Sequence, residues 1–202
     1  MQIFVIRHGE TPGNAARIVQ TAETPLSTLG IEQAERLARR LADSRIERIL
    51  SSDLPRAVMT AERLANATGA PLGRDPLLQE RNFGDLRGTA YSELTVDLFA
   101  ADLVPPNGES WATFEARVAR AWERVAEVAE TMAGNLAVVT HGLVCASLAR
   151  HHFTLPANAT APQRFGNTAV TIVDGAPPWT VATLNCEAHL ASCGSEIGSP
   201  EA

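Results

Sequence analysis

The stretch VIRHGETPGN, residues 5–14, decides how this chain is read. Ile3–Ile6 form an unbroken apolar run, the pattern of a strand buried on both faces. It ends in Arg7 and His8, followed by Gly9 and the polar pair Glu10–Thr11, groups that packing alone does not require. A second stretch, VVTHGLV at 138–144, has the same build: an apolar run, a polar residue, then His-Gly leading into a helix. In open α/β sheets ligands bind outside the carboxyl ends of the strands, so the two endings predict that His8 and His141 converge there beside Arg7. Gly9 and Gly142 are expected to let backbone approach a ligand, and a helix starting at Gly142 favours an anion. A guanidinium buried beside two imidazoles is costly unless an anion shares the site.

Working outward, residues 28–42 place Ala34, Leu37, Ala38 and Leu41 on one helical face, with Ser27 or Thr28 as cap. Ile46–Leu50 is a second strand, and residues 54–68 form a helix ended by Gly69. The longest amphipathic segment runs from Trp111 to Met132, its apolar stripe formed by Trp111, Phe114, Val118, Trp122, Val125 and Ala129. Leu136–Val139 is a third strand, Leu143–Arg150 a helix, and 169–173 and 180–184 closing strands. The alternation predicts a three-layer α/β/α fold with a mostly parallel central sheet, one domain over residues 1–190 followed by a mobile tail at 191–202.

Composition narrows the chemistry. All 17 basic residues are arginine, so Schiff-base lysines and a phosphate-loop lysine are excluded, and any cationic clamp must be a guanidinium fork. A net charge of −6 argues against nucleic acid as a partner. The apolar run at the start is too short for a signal peptide or a membrane span, which predicts a cytoplasmic protein with no membrane partner. Nothing in the sequence sets an oligomeric state. Cys145, Cys186 and Cys193 are too few and too uneven for a disulfide framework. Cys186, His189 and Cys193 have a zinc-like spacing but lack a fourth ligand, so no metal is expected.

Five blocks in order, RHGET with Asn14, SSDLPRAVMTA at 51–61, LQERNFGDLRG at 78–88, NGES at 107–110 and VVTHG at 138–142, resemble the histidine phosphatase superfamily, which includes the cofactor-dependent phosphoglycerate mutases. The resemblance spans residue 2 to about residue 190. It implies that Arg7 and Arg56 bind phosphate, that His8 is the nucleophile forming a phosphohistidine, that His141 donates to the phosphoryl oxygens, and that Glu80 protonates the leaving alcohol. Thr11 and Asn14 would add neutral hydrogen bonds, and the backbone at Gly142 would complete the substrate-binding set. The implied partner is a small phosphomonoester, and the scheme requires neither metal nor cofactor.

Plainer roles exist for single residues. Arg56 could form a solvated ion pair with Asp53, and the Trp111–Phe114–Trp122 stripe is most simply core. The resemblance covers phosphatases, mutases and catalytically silent phospholigand sensors. Mutases of this family carry a longer basic insertion before the NGES-like block, whereas residues 89–108 here contain no basic residue, although Arg81 resembles a mutase position. The phosphatase reading is therefore preferred. NGESWATFEARV at 107–118 is similar to family members acting on a cobalamin-precursor nucleotide, sugar phosphates or phosphoserine, and does not choose among them. The few basic residues in the segment that covers the pocket disfavour heavily phosphorylated ligands.

Overall fold

A computed structural model describes residues 1–191. In chain order its elements are β1 (Gln2–Arg7), α1 (Pro12–Ala16), α2 (Thr28–Leu41), β2 (Ile46–Ser51), α3 (Pro55–Thr68), β3 (Leu72–Arg74), α4 (Trp111–Glu130), β4 (Asn135–Thr140), α5 (Gly142–His151), β5 (Val170–Asp174) and β6 (Val181–Cys186). The six strands form one sheet in the order β3-β2-β4-β1-β5-β6. β1 to β4 run parallel, while β5 and β6 close the other edge antiparallel. The tail expected at 191–202 lies, beyond residue 191, outside the described residues.

The apolar run in β1 is explained by helices on both faces of the sheet. Phe4 and Ile6 point toward Leu37 and Leu41 of α2 and Ala61 and Leu64 of α3. Ile3 and Val5 point the other way, toward Phe114, Val118 and Trp122 of α4 and Leu148 of α5. Each such side chain is expensive to truncate; removing a buried Phe or Trp ring costs roughly 3–5 kcal/mol, a large part of a small domain's net stability. Two elements were not legible in the sequence. The five-residue α1 and the three-residue β3 are too short for a hydrophobic period to show. Trp111 packs against the core on the α4 side from its edge: it is only partly buried, and its indole N–H donates to the Ala100 carbonyl at 2.9 Å.

The turn after β1 is clamped onto α2. A Cβ on Gly9 would sit 2.5 Å from the Gly30 carbonyl oxygen, and one on Gly30 would overlap the Glu10 carbonyl. Glycine is needed at both positions for this backbone approach, so the reading of Gly9 as a residue that admits a ligand is corrected: what it admits is α2. Ser27 caps α2 by accepting from Gly30 N–H and also donates to the Glu10 carboxylate at 2.9 Å, which fixes the turn further. Elsewhere in a helix Gly→Ala would gain up to about 1 kcal/mol. At Gly30 the overlap with rigid backbone wins, and Gly30→Ala should destabilise the protein by about 1–3 kcal/mol in urea titration. Unchanged or increased stability would show that the clamp is not needed.

Candidate active site

Parallel pairing of β1 with β4 matches Arg7 to Thr140, so the next residue of each strand, His8 and His141, emerges side by side. Their ring centroids are 5.1 Å apart in an edge-to-face arrangement. On the other side of β4, β2 pairs Ser51 with Val139 and thereby delivers Ser52 to His141, and α3 then starts with Arg56 in its first turn. Glu80 comes from the loop after a 3₁₀ turn at Pro76–Leu78. Arg7, His8, Asn14, Arg56, Glu80 and Gly142 thus share the wall of one cavity of about 360 Å³ at the carboxyl ends of the strands.

Both imidazoles are held neutral. His8 is almost fully buried, and burial together with the Arg7 and Arg56 charges pushes its pKa well below 6.5. Its Nδ1 lies 2.7 Å from the Gly9 carbonyl, which can only accept, so the proton sits on Nδ1 and Nε2 keeps its lone pair. His141 is lowered by burial, Arg56, His8 and Arg7. Its Nε2 meets Ser52 Oγ at 2.8 Å, and Nδ1 has no partner. Ser52 Oγ also accepts from Leu54 N–H at 3.3 Å; if its own hydrogen goes to Nε2, the His141 proton sits on the orphaned Nδ1. His141 is wholly buried and stands behind the cavity wall, which Gly142 and Leu143 form at that point.

The arginines are short of acceptors. Arg7 Nη1 donates to the Phe165 carbonyl and Arg56 Nη1 to the Thr21 carbonyl at 3.1 Å, but Nε of both is buried without a partner. Arg56 is 3% exposed, and Asp53 is engaged by Gln79 instead, so the surface ion pair is overturned. Burial lowers the Arg56 pKa to about 10, which still leaves it charged at neutral pH. Two desolvated cations and three unpaired buried nitrogens around a neutral imidazole constitute an anion site.

The helix N-terminus at Gly142 already holds an anion. Glu80 Oε2 accepts from Leu143 N–H at 3.1 Å and Oε1 from Arg81 N–H at 3.0 Å. Burial raises the Glu80 pKa, and these two N–H groups, Arg56 and Arg7 oppose the rise. The other acids nearby are committed elsewhere. Glu10 binds Ser27 and Asp85 binds Asn107. Burial pushes Glu109 up, but hydrogen bonds from Arg117 and Asn82 N–H leave it below the usual carboxylate value.

Thr11 does not join the site. It is fully buried as the cap of α1, its hydroxyl accepting from Asn14 N–H and donating to Gln20. Asn14 does join: its Oδ1 accepts from Thr11 N–H and from Asn167 Nδ2, which turns its own amide hydrogens free. Ser52 and Asn167, which also donates to the His8 carbonyl, were missed because a lone serine or asparagine carries no pattern. The cavity cover is pinned by Arg81, whose fork donates to the carbonyls of Leu98, Leu103 and Glu109 and lies 4.0 Å over the Trp111 ring. The charge inference from residues 89–108 is corrected too: Arg17, Arg87 and Arg164, from outside that segment, line the same cavity. Cys186 and His189 are engaged by Arg40 and Thr168, and Cys193 lies outside the described residues.

The sequence model of the histidine phosphatase superfamily (branch 1) matches residues 3–186. The chain belongs to that superfamily. A Yersinia pestis protein named "Probable phosphoglycerate mutase GpmB" is 32% identical over 94% of this chain and 95% of its own. Among solved structures, a mycobacterial glucosyl-3-phosphoglycerate phosphatase in complex with VO3 superposes with a TM-score of 0.74 at 29% identity, over 86% of this chain and 90% of that one. A phosphoglycerate mutase from Bacillus anthracis gives 0.79 at 25% identity, over 94% of each. These relatives share the mixed sheet flanked by helices.

Replacing Arg56 with lysine keeps the charge but loses the planar fork that spans Thr21 and the cavity. Vanadate affinity, measured by calorimetric titration, should fall on the order of tenfold or more at unchanged net charge. Equal affinity would reduce Arg56 to a residue that only ties α3 to the Thr21 loop.

Proposed function

We propose that this protein is a metal-independent phosphatase that hydrolyses a small phosphomonoester through a phosphohistidine on His8. The observation that carries the reading is the neutral, Nδ1-protonated His8 at the cavity wall, surrounded by the unpaired nitrogens of Arg7, Arg56 and His141. A phosphomonoester dianion repels nucleophiles, and catalysis of its transfer is mainly positioning and charge stabilisation. Arg7 and Arg56 orient the phosphoryl group, Asn14 adds amide donors, and Gly142 leaves its side of the wall open. Nε2 of His8 attacks phosphorus in line, forming the N–P bond as the ester P–O bond breaks. Glu80 gives its proton to the departing alkoxide oxygen. As a carboxylate it then takes a proton from water, whose oxygen attacks phosphorus and frees His8 and inorganic phosphate.

His141 takes the role of donor to the phosphoryl oxygens through Nδ1, a contact for which the phosphoryl group must enter between the two rings. Exposed Arg17, Gln163 and Arg164 at the cavity mouth support hydrolysis, since a mutase must keep water from its phosphohistidine. Arg81, which resembles a mutase position, has each of its three nitrogens bonded to a backbone carbonyl. The mutase reading is supported by the name of the Yersinia relative and by the likeness to the Bacillus anthracis mutase structure. Release of phosphate from p-nitrophenyl phosphate in the presence of chelator distinguishes the two, because a mutase or a silent sensor releases little.

His8→Ala should abolish turnover and remove the acid-labile phosphoenzyme seen after rapid quench. Near-normal turnover in His8→Ala, with loss in His141→Ala, would exchange the two roles.

Glu80 must be protonated to act as an acid, and its raised pKa moves that form toward neutrality; His8 must be neutral, and its lowered pKa keeps it so below 6.5. Phosphorylation by alkyl phosphates should therefore rise as pH falls toward the raised pKa of Glu80 and decline only as His8, whose pKa is lowered, itself protonates. Glu80→Gln should lose on the order of 10²- to 10⁴-fold on alkyl phosphates, much less on p-nitrophenyl phosphate, and should flatten the alkaline limb. Equal losses on both esters in pre-steady-state measurements would remove Glu80 from this role.

A further inference from the structure

A histidine near the end of the described residues is tied to the turn that carries His8. His189 stands in NCEAHL at 185–190, in the 3₁₀ turn Ala188–Leu190 that follows β6, and it is not among the residues lining the cavity. Arg40, near the end of α2, donates from Nη1 to His189 Nδ1 at 3.2 Å and from Nη2 to Cys186 Sγ at 3.3 Å. A guanidinium can only donate, so Nδ1 accepts and the His189 proton sits on Nε2. Nε2 therefore donates to Thr168 Oγ1 at 2.8 Å, and the Thr168 hydroxyl gives its own hydrogen to the Asn167 carbonyl at 2.7 Å. The cation at the start fixes every direction in this series. Burial, with Arg40 and Arg36 nearby, lowers the His189 pKa to about 4, so Nδ1 keeps its lone pair at neutral pH.

The series ends on the His8 backbone. Thr168 N–H donates to the His8 carbonyl at 3.3 Å and Asn167 Nδ2 to the same oxygen at 3.1 Å, while His8 N–H reaches the Thr140 carbonyl on β4 at 2.9 Å. The peptide groups on both sides of His8 are thus pinned, one by β4 and one by residues 167–168. Thr168 does this wholly buried and in the left-handed region at φ 57°, a conformation disfavoured for a β-branched residue. Such a residue persists there only where its surroundings over-determine it, and the two partners of its hydroxyl do so. Relaxation of Thr168 would shift both donors on the His8 carbonyl, and with them the ring, whose Nδ1 is bonded within the same turn to the Gly9 carbonyl. The arginine clamp is secured separately: Asn185 accepts from Gly166 N–H at 3.0 Å and donates to the Arg164 carbonyl at 3.2 Å, on either side of the Phe165 carbonyl that holds Arg7.

We propose that His189 is a positioning residue for His8: by locking Thr168 from behind, it fixes the His8 carbonyl and so aims Nε2 of His8 along the line of attack. The inference rests on the reading of His8 as the nucleophile. Among the described residues the His189 side chain bonds Arg40 and Thr168 only, so its loss acts on the rate of phosphoryl transfer and leaves the binding of phosphate alone.

The test compares His189→Phe, which keeps the ring shape and loses both polar atoms, with His189→Gln, whose amide keeps one donor and one acceptor, and with Thr168→Val, which removes the hydroxyl at constant shape. In single-turnover phosphorylation by p-nitrophenyl phosphate, His189→Phe and Thr168→Val should each lose on the order of 10- to 100-fold in rate. Affinity for inorganic phosphate, by calorimetric titration, should stay close to that of wild type, and His189→Gln should recover most of the rate. Because the two residues act in one series, the double variant His189→Phe/Thr168→Val should be no slower than the slower single variant. The nitrogen NMR resonances of the His8 ring, assigned by their loss in His8→Ala, should show one Nδ1-protonated ring in wild type and a mixture in His189→Phe. That readout needs no turnover: altered His8 resonances in His189→Phe, with no phosphohistidine formed by wild type, overturn the phosphatase reading and keep the positioning role. Turnover by wild type with unchanged rates and His8 resonances in the variants, or losses of phosphate affinity as large as the losses of rate, overturns the positioning role alone. If His189→Phe does not fold, Thr168→Val and His189→Gln decide by the same measurements.

Discussion

The parallel pairing of β1 with β4 is the constraint on which the rest depends. Because Arg7 and Thr140 are partners in that ladder, His8 and His141 leave the sheet at the same level, and no loop adjustment is needed to bring them together. Ser52 arrives by the same logic from β2, and Arg56 follows one turn into α3. A slip of one residue in either ladder would turn the apolar run of β1 inside out between its two cores and separate the imidazoles at the same time. Stability and site geometry are therefore fixed by one register.

The electrostatics follow from that placement. Two arginines and two histidines are desolvated together: burial, Arg7 and Arg56 keep His8 unprotonated, and burial with Arg56, His8 and Arg7 does the same to His141. The cost of such a cluster is offset only by an anion. In the unliganded protein the carboxylate of Glu80 supplies part of it, held against the α5 N-terminus and the Arg81 amide. Burial and the surrounding cations pull the Glu80 pKa in opposite directions, with burial prevailing, so the carboxyl group is easier to protonate than a solvated glutamate.

The cover is built by a different principle. Residues 98–109 have few apolar anchors of their own, and they are held by a cation whose donors all go to backbone carbonyls and whose faces meet Trp111 and Phe83. Arg117 plays the corresponding part beneath, binding Glu109 and the carbonyls of Leu77, Gln79 and Glu80. Glu80 is consequently positioned from both sides, its carbonyl by Arg117 and its carboxyl by the Arg81 amide. A chain without lysine suits this design, because only a guanidinium can bridge several carbonyls at fixed angles.

The sequence by itself determined the layers, the long helices, the principal strands and the meeting of Arg7, His8 and His141, because apolar periodicity and two matching strand endings are local patterns. It also marked Arg56 and Glu80, through separated blocks that resemble a family. Tertiary structure decided what those patterns cannot encode. Thr11 and Gly9 sit in the motif itself yet serve the cap of α1 and the contact with α2, because which neighbour a side chain meets depends on chain segments far away. Ser52 and Asn167 became partners of the two histidine turns only once β2 and the loop before β5 were in place. Arg17, Arg87 and Arg164 lie far apart along the chain, and only the folded backbone brings them to the lining of one cavity. Periodicity records which face of an element is buried; it carries no information on which distant residue lies opposite.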